Sequence, residues 1–211
     1  MITWIDMETY PRKSHFEYFG SLAYPYTGLT ANVDVTNALR YAKEKGGSSF
    51  LAVLYVAVKA LNEIPEFRQR IVDGKIAEYD YCNIGYTVAM PDKTFCNCYT
   101  ESRMSLDEFF VDAKERQAEA MKHPGFVNPD EDETGLIFAS CLPWLAFTQC
   151  IQPAPIPADC NPRVVFGKYI KEGDRTMMPL HLQCNHALVD GRHVGLFYEN
   201  FEALVKACRG K

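Results

Sequence analysis

His186 lies four residues before Asp190-Gly191, between an apolar run over 177–184 and a segment over 194–205 whose apolar residues recur at helical spacing. An imidazole held at such a junction can offer one ring nitrogen to a substrate hydroxyl while the protein fixes the other, as a general base requires. The chemistry this suggests is acyl transfer to an alcohol. Neutral imidazole has an unperturbed pKa of about 6.5, so it accepts a proton near neutral pH and can return it to a departing thiolate. One residue then serves both halves of a direct transfer. Spacing alone is equally compatible with a turn histidine satisfied by its neighbours, with Asp190-Gly191 merely opening a helix. Cys184 offers an alternative nucleophile two residues upstream, but it is the weaker reading because sequence proximity fixes no side-chain geometry. His181 and His193 flank the motif without a metal-ligand pattern such as H-E-x-x-H, and core or surface roles are expected for both.

The elements that must carry these residues mix α and β signals. A short helix is expected over 15–19. A charged helix over 36–45 ends at Gly46-Gly47, and Ser48 can cap an apolar helix over 50–62 that Pro65 stops. Strand-like runs at 76–81, 84–90 and 94–99, separated from their surroundings by Asp73-Gly74 and Pro91-Asp92, read as hairpins. Ser105 and Glu108 have capping-box spacing ahead of an amphipathic helix that runs to Lys122 and ends at His123-Pro124-Gly125. The acidic stretch 130–133 reads as a solvated loop. Strand pieces are expected at 136–140 and 145–148. The segment 151–157 holds three prolines, which remove ladder donors, and reads as a loop with a candidate pocket beneath it.

Composition narrows the classes. The chain has 211 residues, enough for one substantial core that buries roughly 70 to 75% of the unfolded surface, and one domain over 1–211 is the economical count. A net charge of −5 with dispersed Lys and Arg gives no basic patch, so nucleic acid is not an expected partner. The N-terminus is acidic, and the longest apolar region, 50–61, contains Lys59 and is too short to span a bilayer. No membrane association and a cytoplasmic location follow as expectations. Eight irregularly spaced cysteines suit free thiols in a reducing compartment, and Cys96-Asn97-Cys98 lacks a second close pair to complete a zinc site. No metal is expected. There is no G-x-G-x-x-G fingerprint and no Walker loop.

Longer motifs are more specific. Gly167-Lys168-Tyr169-Ile170-Lys171-Glu172-Gly173-Asp174-Arg175, then Met178-Pro179-Leu180, then 185–195, resemble the C-terminal part of the type A chloramphenicol acetyltransferases. Matches in the same order occur at 12–17, at Pro65-Glu66-Phe67-Arg68 with Asp73-Gly74, at Ala139-Ser140 and at 143–148. The resemblance implies an α/β fold, specifically a two-layer α+β sandwich with a mixed sheet and helices packed on one face. It also implies a homotrimer with active sites at subunit interfaces, acetyl-CoA as acyl donor, and a role in antibiotic resistance. By resemblance His186 is the general base, Asp190 pairs with Arg12 in an architectural salt bridge, and Lys168 and Tyr169 lie by CoA. A buried carboxylate needs such a partner to offset its desolvation. Aromatic candidates for the acceptor pocket are Tyr24, Tyr26, Phe95 and Phe138.

The chain also departs from the family pattern. Ala146 stands where the resemblance implies a serine or asparagine that donates to the tetrahedral intermediate, and Val165 stands where it implies a threonine. Losing one oxyanion donor typically costs about 100- to 1,000-fold in turnover. Thr148 is a candidate substitute. Asn185 replaces a second histidine and is expected to tune the chemistry rather than abolish it. The leading expectation is an acetyl-CoA-dependent O-acetyltransferase acting on a small-molecule hydroxyl, with chloramphenicol as one candidate acceptor. The alternative is a catalytically impaired member that binds or sequesters small molecules. A dihydrolipoamide acyltransferase core, which shares a related histidine and Asp-Gly motif, ranks third.

Overall fold

A computed structural model describes residues 1–127 and 132–208. Along the chain it comprises β1 (Ile2–Trp4), α1 (Lys13–Gly20), β2 (Tyr26–Asp34), α2 (Thr36–Lys45), α3 (Ser49–Asn62), β3 (Gln69–Val72), β4 (Lys75–Tyr79), β5 (Asn83–Ala89) and β6 (Phe95–Thr100). There follow α4 (Leu106–Lys122), β7 (Leu136–Cys141), β8 (Arg163–Phe166), β9 (Ile170–Glu172), β10 (Arg175–Asn185) and α5 (Gly191–Ala207). Short 3₁₀ turns precede β3 and β7. The expected helices appear where their caps place them. Gly46 ends α2 in the left-handed region at φ 66°, the Ser48 side chain accepts from the Leu51 N–H, and Ser105 with Glu108 closes a complete capping box on α4.

The main sheet runs β2-β10-β8-β7-β5-β6 with β9 paired to β10, and a separate small sheet runs β1-β4-β3. The main sheet is mixed. β7 is parallel to both β5 and β8, while the other pairings are antiparallel. Helices cover one face. The apolar helix α3 buries nine residues there, including Leu51, Leu54, Val58 and Leu61, against α2, α4 and α5. Burying each large aliphatic side chain contributes about 1.5–3 kcal/mol, so α3 is the keystone of this layer. This is the α+β two-layer arrangement that the resemblance implied.

Strand alternation assigns each β10 residue to a face. Leu180, Leu182 and Cys184 point into the helix-covered core, while His181, Gln183 and Asn185 point to the other face. Register carries that second face across the sheet in rows. One row is Thr87, Ser140, Val165, His181 and Thr30, and the next is Gly85, Phe138, Arg163, Gln183 and Gly28. Gly28 is required here, because a Cβ would stand 2.8 Å from the Leu182 carbonyl oxygen and 3.2 Å from the His181 ring.

The proline-rich segment after β7 folds back over this second face, as the sequence suggested. The Gln152 N–H donates to Gln183 Oε1 at 3.1 Å, Asn185 donates to the Asp159 carbonyl at 2.9 Å, and Arg163 donates to Asp159 at 2.8 Å. The strand expected at 145–148 does not form. That stretch begins with a turn in which the Leu145 N–H meets the Leu142 carbonyl, and the segment then crosses the sheet instead of joining it. Of the acidic loop expected at 130–133, 130 and 131 lie outside the described residues, while Asp132 caps the short turn Glu133–Gly135.

Candidate active site

His186 is the first residue past β10, where the chain leaves the sheet for a tight turn. The turn is built by Asn185, whose carbonyl accepts from the Leu188 and Val189 N–H groups and whose side-chain oxygen accepts from the Ala187 N–H at 3.0 Å. Asn185 is therefore a structural anchor of the turn, gripping Asp159 with its amide nitrogen as well. The His186 N–H donates to the Pro25 carbonyl at 2.7 Å, and its ring stacks on Phe19 at the end of α1, with centroids 3.8 Å apart and planes 5° from parallel. The ring is half-buried. Nδ1 is enclosed with no hydrogen-bond partner among the described residues, which leaves Nε2 as the open edge of the ring.

Asp190 closes the other end of the turn as the N-cap of α5, its side chain accepting from the Arg192 N–H at 2.9 Å. Its second oxygen meets Arg12, so the expected Arg12–Asp190 pair forms across 178 residues of sequence. Burial alone would raise the Asp190 pKa. Hydrogen bonds from Arg12 and Arg192, with the charges of Arg12 and His193, overcome that and hold it at about 2. His193 belongs to the same cluster. Its Nδ1 lies 2.9 Å from Asp190 Oδ1 and its Nε2 3.5 Å from Glu66 Oε1, so the buried ring stands between two carboxylates. Contacts spanning residues 12, 66 and 190–193 leave no local signature.

Cys184 faces the core, its thiol donating to the Thr27 carbonyl at 3.7 Å while burial pushes its pKa far up. A buried, protonated thiol is inert as a nucleophile. His181 is also buried: Nδ1 meets Thr30 Oγ1 at 2.9 Å, Nε2 is enclosed without a partner among the described residues, and burial lowers its pKa.

The four aromatic acceptor candidates do not converge within one chain. Tyr24 and Tyr26 meet edge to face at 5.1 Å and line a cavity of about 390 Å³ together with Thr148, Gln149, His181 and Gln183. Tyr26 is fixed by donating to Asp159 at 3.0 Å. Phe138 lies under the Arg163 guanidinium at 5.6 Å, and Phe95 stands on the edge strand β6 against Phe126. Lys168 is exposed, and its N–H donates to the Leu145 carbonyl, while Tyr169 is half-buried against the core.

The positions of the two departures differ. Ala146 is exposed on the segment that crosses the sheet, whereas Val165 is buried at the centre of the row between Ser140 and His181. Ser140 Oγ and Thr87 Oγ1 are 3.2 Å apart in that row, so hydroxyls stand directly beside Val165. In the sequence Ser140 stands only within a matching segment. Its cross-strand adjacency to Val165 is a register fact.

A sequence model of the chloramphenicol acetyltransferase family matches residues 1–202. The chain belongs to that family. A chloramphenicol acetyltransferase of Proteus mirabilis is 30% identical over 193 residues, covering 90% of this chain and 88% of the relative. A solved structure named chloramphenicol acetyltransferase superposes with a TM-score of 0.86 at 30% identity, covering 97% of this chain and all of that one. A structure described as a probable dihydrolipoamide acetyltransferase from Listeria monocytogenes shares the fold, with a TM-score of 0.72 at 18% identity over 96% of this chain and 94% of the other. As an acetyltransferase family member the chain takes a place among acyltransferases, and the dihydrolipoamide reading retains only the likeness of fold. Among the described residues no helix is long and apolar enough to cross a membrane.

Proposed function

We propose that this chain is an acetyl-CoA-dependent O-acetyltransferase in which His186 Nε2 takes the proton of an acceptor hydroxyl. The hydroxyl oxygen attacks the thioester carbonyl, a tetrahedral oxyanion forms, the C–S bond breaks, and the proton passes from the imidazolium to the thiolate. The products are an acetate ester and CoA. The observation that carries this reading is the state of the ring: stacked on Phe19, anchored through its backbone to Pro25, and open at one nitrogen only. The Arg12–Asp190 pair holds the end of the turn and makes no demand on the ring itself.

Oxyanion stabilisation is assigned to Ser140, with Thr87 orienting it, in place of the hydroxyls missing at 146 and 165. Ser140 lies in the His181 row, and His186 is five residues further along the strand direction, roughly 17 Å at the usual strand rise. At that separation an extended strand would keep the two apart within one chain. The base of one protomer is therefore served by the sheet face of a neighbour, in keeping with a homotrimer whose sites lie between subunits. Lys168 supplies an exposed positive charge for CoA phosphates and Tyr169 a packed ring beside it.

The acceptor is a neutral hydroxyl compound with aromatic character, chloramphenicol being one. None of the residues lining the Tyr24–Tyr26 cavity is Asp, Glu, Lys or Arg. The burial of Val165 in the polar row favours a second reading, a member that binds such compounds without turning them over. CoA release by the purified chain over a panel of alcohols including chloramphenicol decides between them. Turnover with ester formation supports the transferase. Saturable acceptor binding with no CoA release overturns it in favour of sequestration.

A further inference from the structure

We propose that His193 is a positioning residue for His186, tying the Asp190 end of the 185–190 turn to Glu66 so that the base keeps its place. The inference rests on the transferase reading above. The turn has two ends. At one, Asn185 and Pro25 hold the backbone around His186. At the other, Asp190 presents one oxygen to Arg12 and the other to the Arg192 N–H and to His193 Nδ1. The His193 side chain is only 11% exposed, and its far nitrogen faces Glu66 at 3.5 Å. One imidazole thus spans two carboxylates from separate elements, the cap of α5 and the 3₁₀ turn after α3.

The groups around the ring are few: Asp190 and Glu66 in direct contact, Arg12 behind Asp190, and Tyr10 beside Arg12 and Glu66. A ring protonated at both nitrogens donates to both carboxylates and balances, with Arg12, two negative charges by two positive ones. A ring with one proton serves one carboxylate. If that proton is on Nε2, the Asp190 N–H, 3.1 Å from Nδ1, has a lone pair to donate to. In the doubly protonated ring, and in the neutral ring with its proton on Nε2, His193 bridges the turn to Glu66, and among the described residues no other side chain reaches Asp190 Oδ1. The Glu66 carboxyl is held below its usual range, with the His193 contact as the first cause, which is the electrostatic sign of the same bridge.

The test uses the full chain with His193→Ala, His193→Gln and, as control, His123→Ala, which removes an exposed histidine 3.4 Å from Glu119. Two readouts are needed: steady-state CoA release, and the NMR resonances of the His186 ring in the free protein. The expected result is a kcat about tenfold lower or more in His193→Ala with KM for acetyl-CoA within about twofold, since an interaction acting through the base touches turnover rather than donor binding. The His186 resonances should shift in the same variant. His193→Gln, which keeps a donor toward one carboxylate, should recover part of both, and His123→Ala should change neither. If His193→Ala does not fold, Glu66→Gln carries the resonance test, with a smaller shift expected. Unmoved His186 resonances overturn the proposal, as does a raised KM at constant kcat. If the parent releases no CoA with any acceptor, the transferase reading fails, and the resonances still decide the positioning role on their own.

Discussion

His181 and His186 are five residues apart, one on β10 and one just past it, and only the second keeps a ring nitrogen at an open edge. His181 points from the middle of the strand onto the sheet face that the 142–162 segment covers; its Nδ1 is occupied by Thr30, and its Nε2 is sealed. His186 stands where the strand has ended, so its ring escapes the sheet, lies against Phe19, and keeps one nitrogen open. Residue type is the same in both. What differs is whether the backbone is in a ladder or has left it, and whether a loop crosses overhead.

The sharpest way to break this contrast is to remove each ring in turn. His186→Ala should cut kcat by about 100- to 10,000-fold, the range for a positioned general base, while His181→Ser, whose ring lines the acceptor cavity but takes no proton in the reaction, should leave kcat within about threefold and act on the acceptor KM. Steady-state CoA release measures both. Comparable losses in the two variants would mean that the open edge of His186 is not what matters.

Second in size is the oxyanion assignment. Ser140→Ala should lower kcat by about 100-fold with little change in KM for acetyl-CoA, since a donor that strengthens only in the transition state acts on turnover. Ala146→Ser should leave turnover within about threefold, because on this assignment Ser140 already supplies the donor. A strong gain from Ala146→Ser would move the oxyanion site away from the sheet row and back to the position that sequence resemblance assigns.

Third is the clamp on the His186 turn, which has no counterpart at His181. The Arg12–Asp190 pair is neither fully buried nor fully exposed, with side-chain exposures of 15% and 29%. Asp190→Asn should therefore cost about 2 kcal/mol in denaturant unfolding, between the values for surface and buried pairs. The folded Asp190 pKa of about 2 lies below the unfolded value near 3.9. Its contribution is then complete above about pH 4 and disappears as the pH falls toward 2. In Asp190→Asn that part of the acid sensitivity should be missing.

These contrasts also show what could be read from the chain beforehand. α2, α3 and α4 were legible because their caps are local: Gly46, Ser48, and Ser105 with Glu108 each act within four residues. Arg12 and Asp190 were legible only through family resemblance. β2 is not legible in the sequence, because Tyr26–Asp34 is an edge strand with mixed burial and no clean alternation of apolar and polar residues. The segment 145–148 reads like a strand by composition and is not one, since a turn at Leu142–Leu145 lifts it out of the ladder and Leu145 meets Lys168 by a single backbone bond. The Ser140–Val165–His181 row is a product of register across three strands, and the Glu66–His193 contact joins residues 127 positions apart. Neither leaves a trace in spacing.

The smallest expected effect concerns His181 itself. Burial favours its neutral ring and depresses its folded pKa below the unfolded value near 6.5. In the pH window between those two values the unfolded chain binds a proton that the folded chain does not, so stability rises with pH there and is lost on acidification. His181→Ser removes that proton uptake together with an unpartnered buried nitrogen, whose desolvation opposes folding, but it also empties space beside Gly28 and frees the Thr30 hydroxyl. These terms oppose each other, so near pH 8 the variant should unfold within about 1 kcal/mol of the parent. Between pH 8 and pH 5 the parent should lose more stability than the variant. Parallel losses in the two proteins would mean that His181 takes up its proton without unfolding. The enclosure that separates it from His186 would then open in solution.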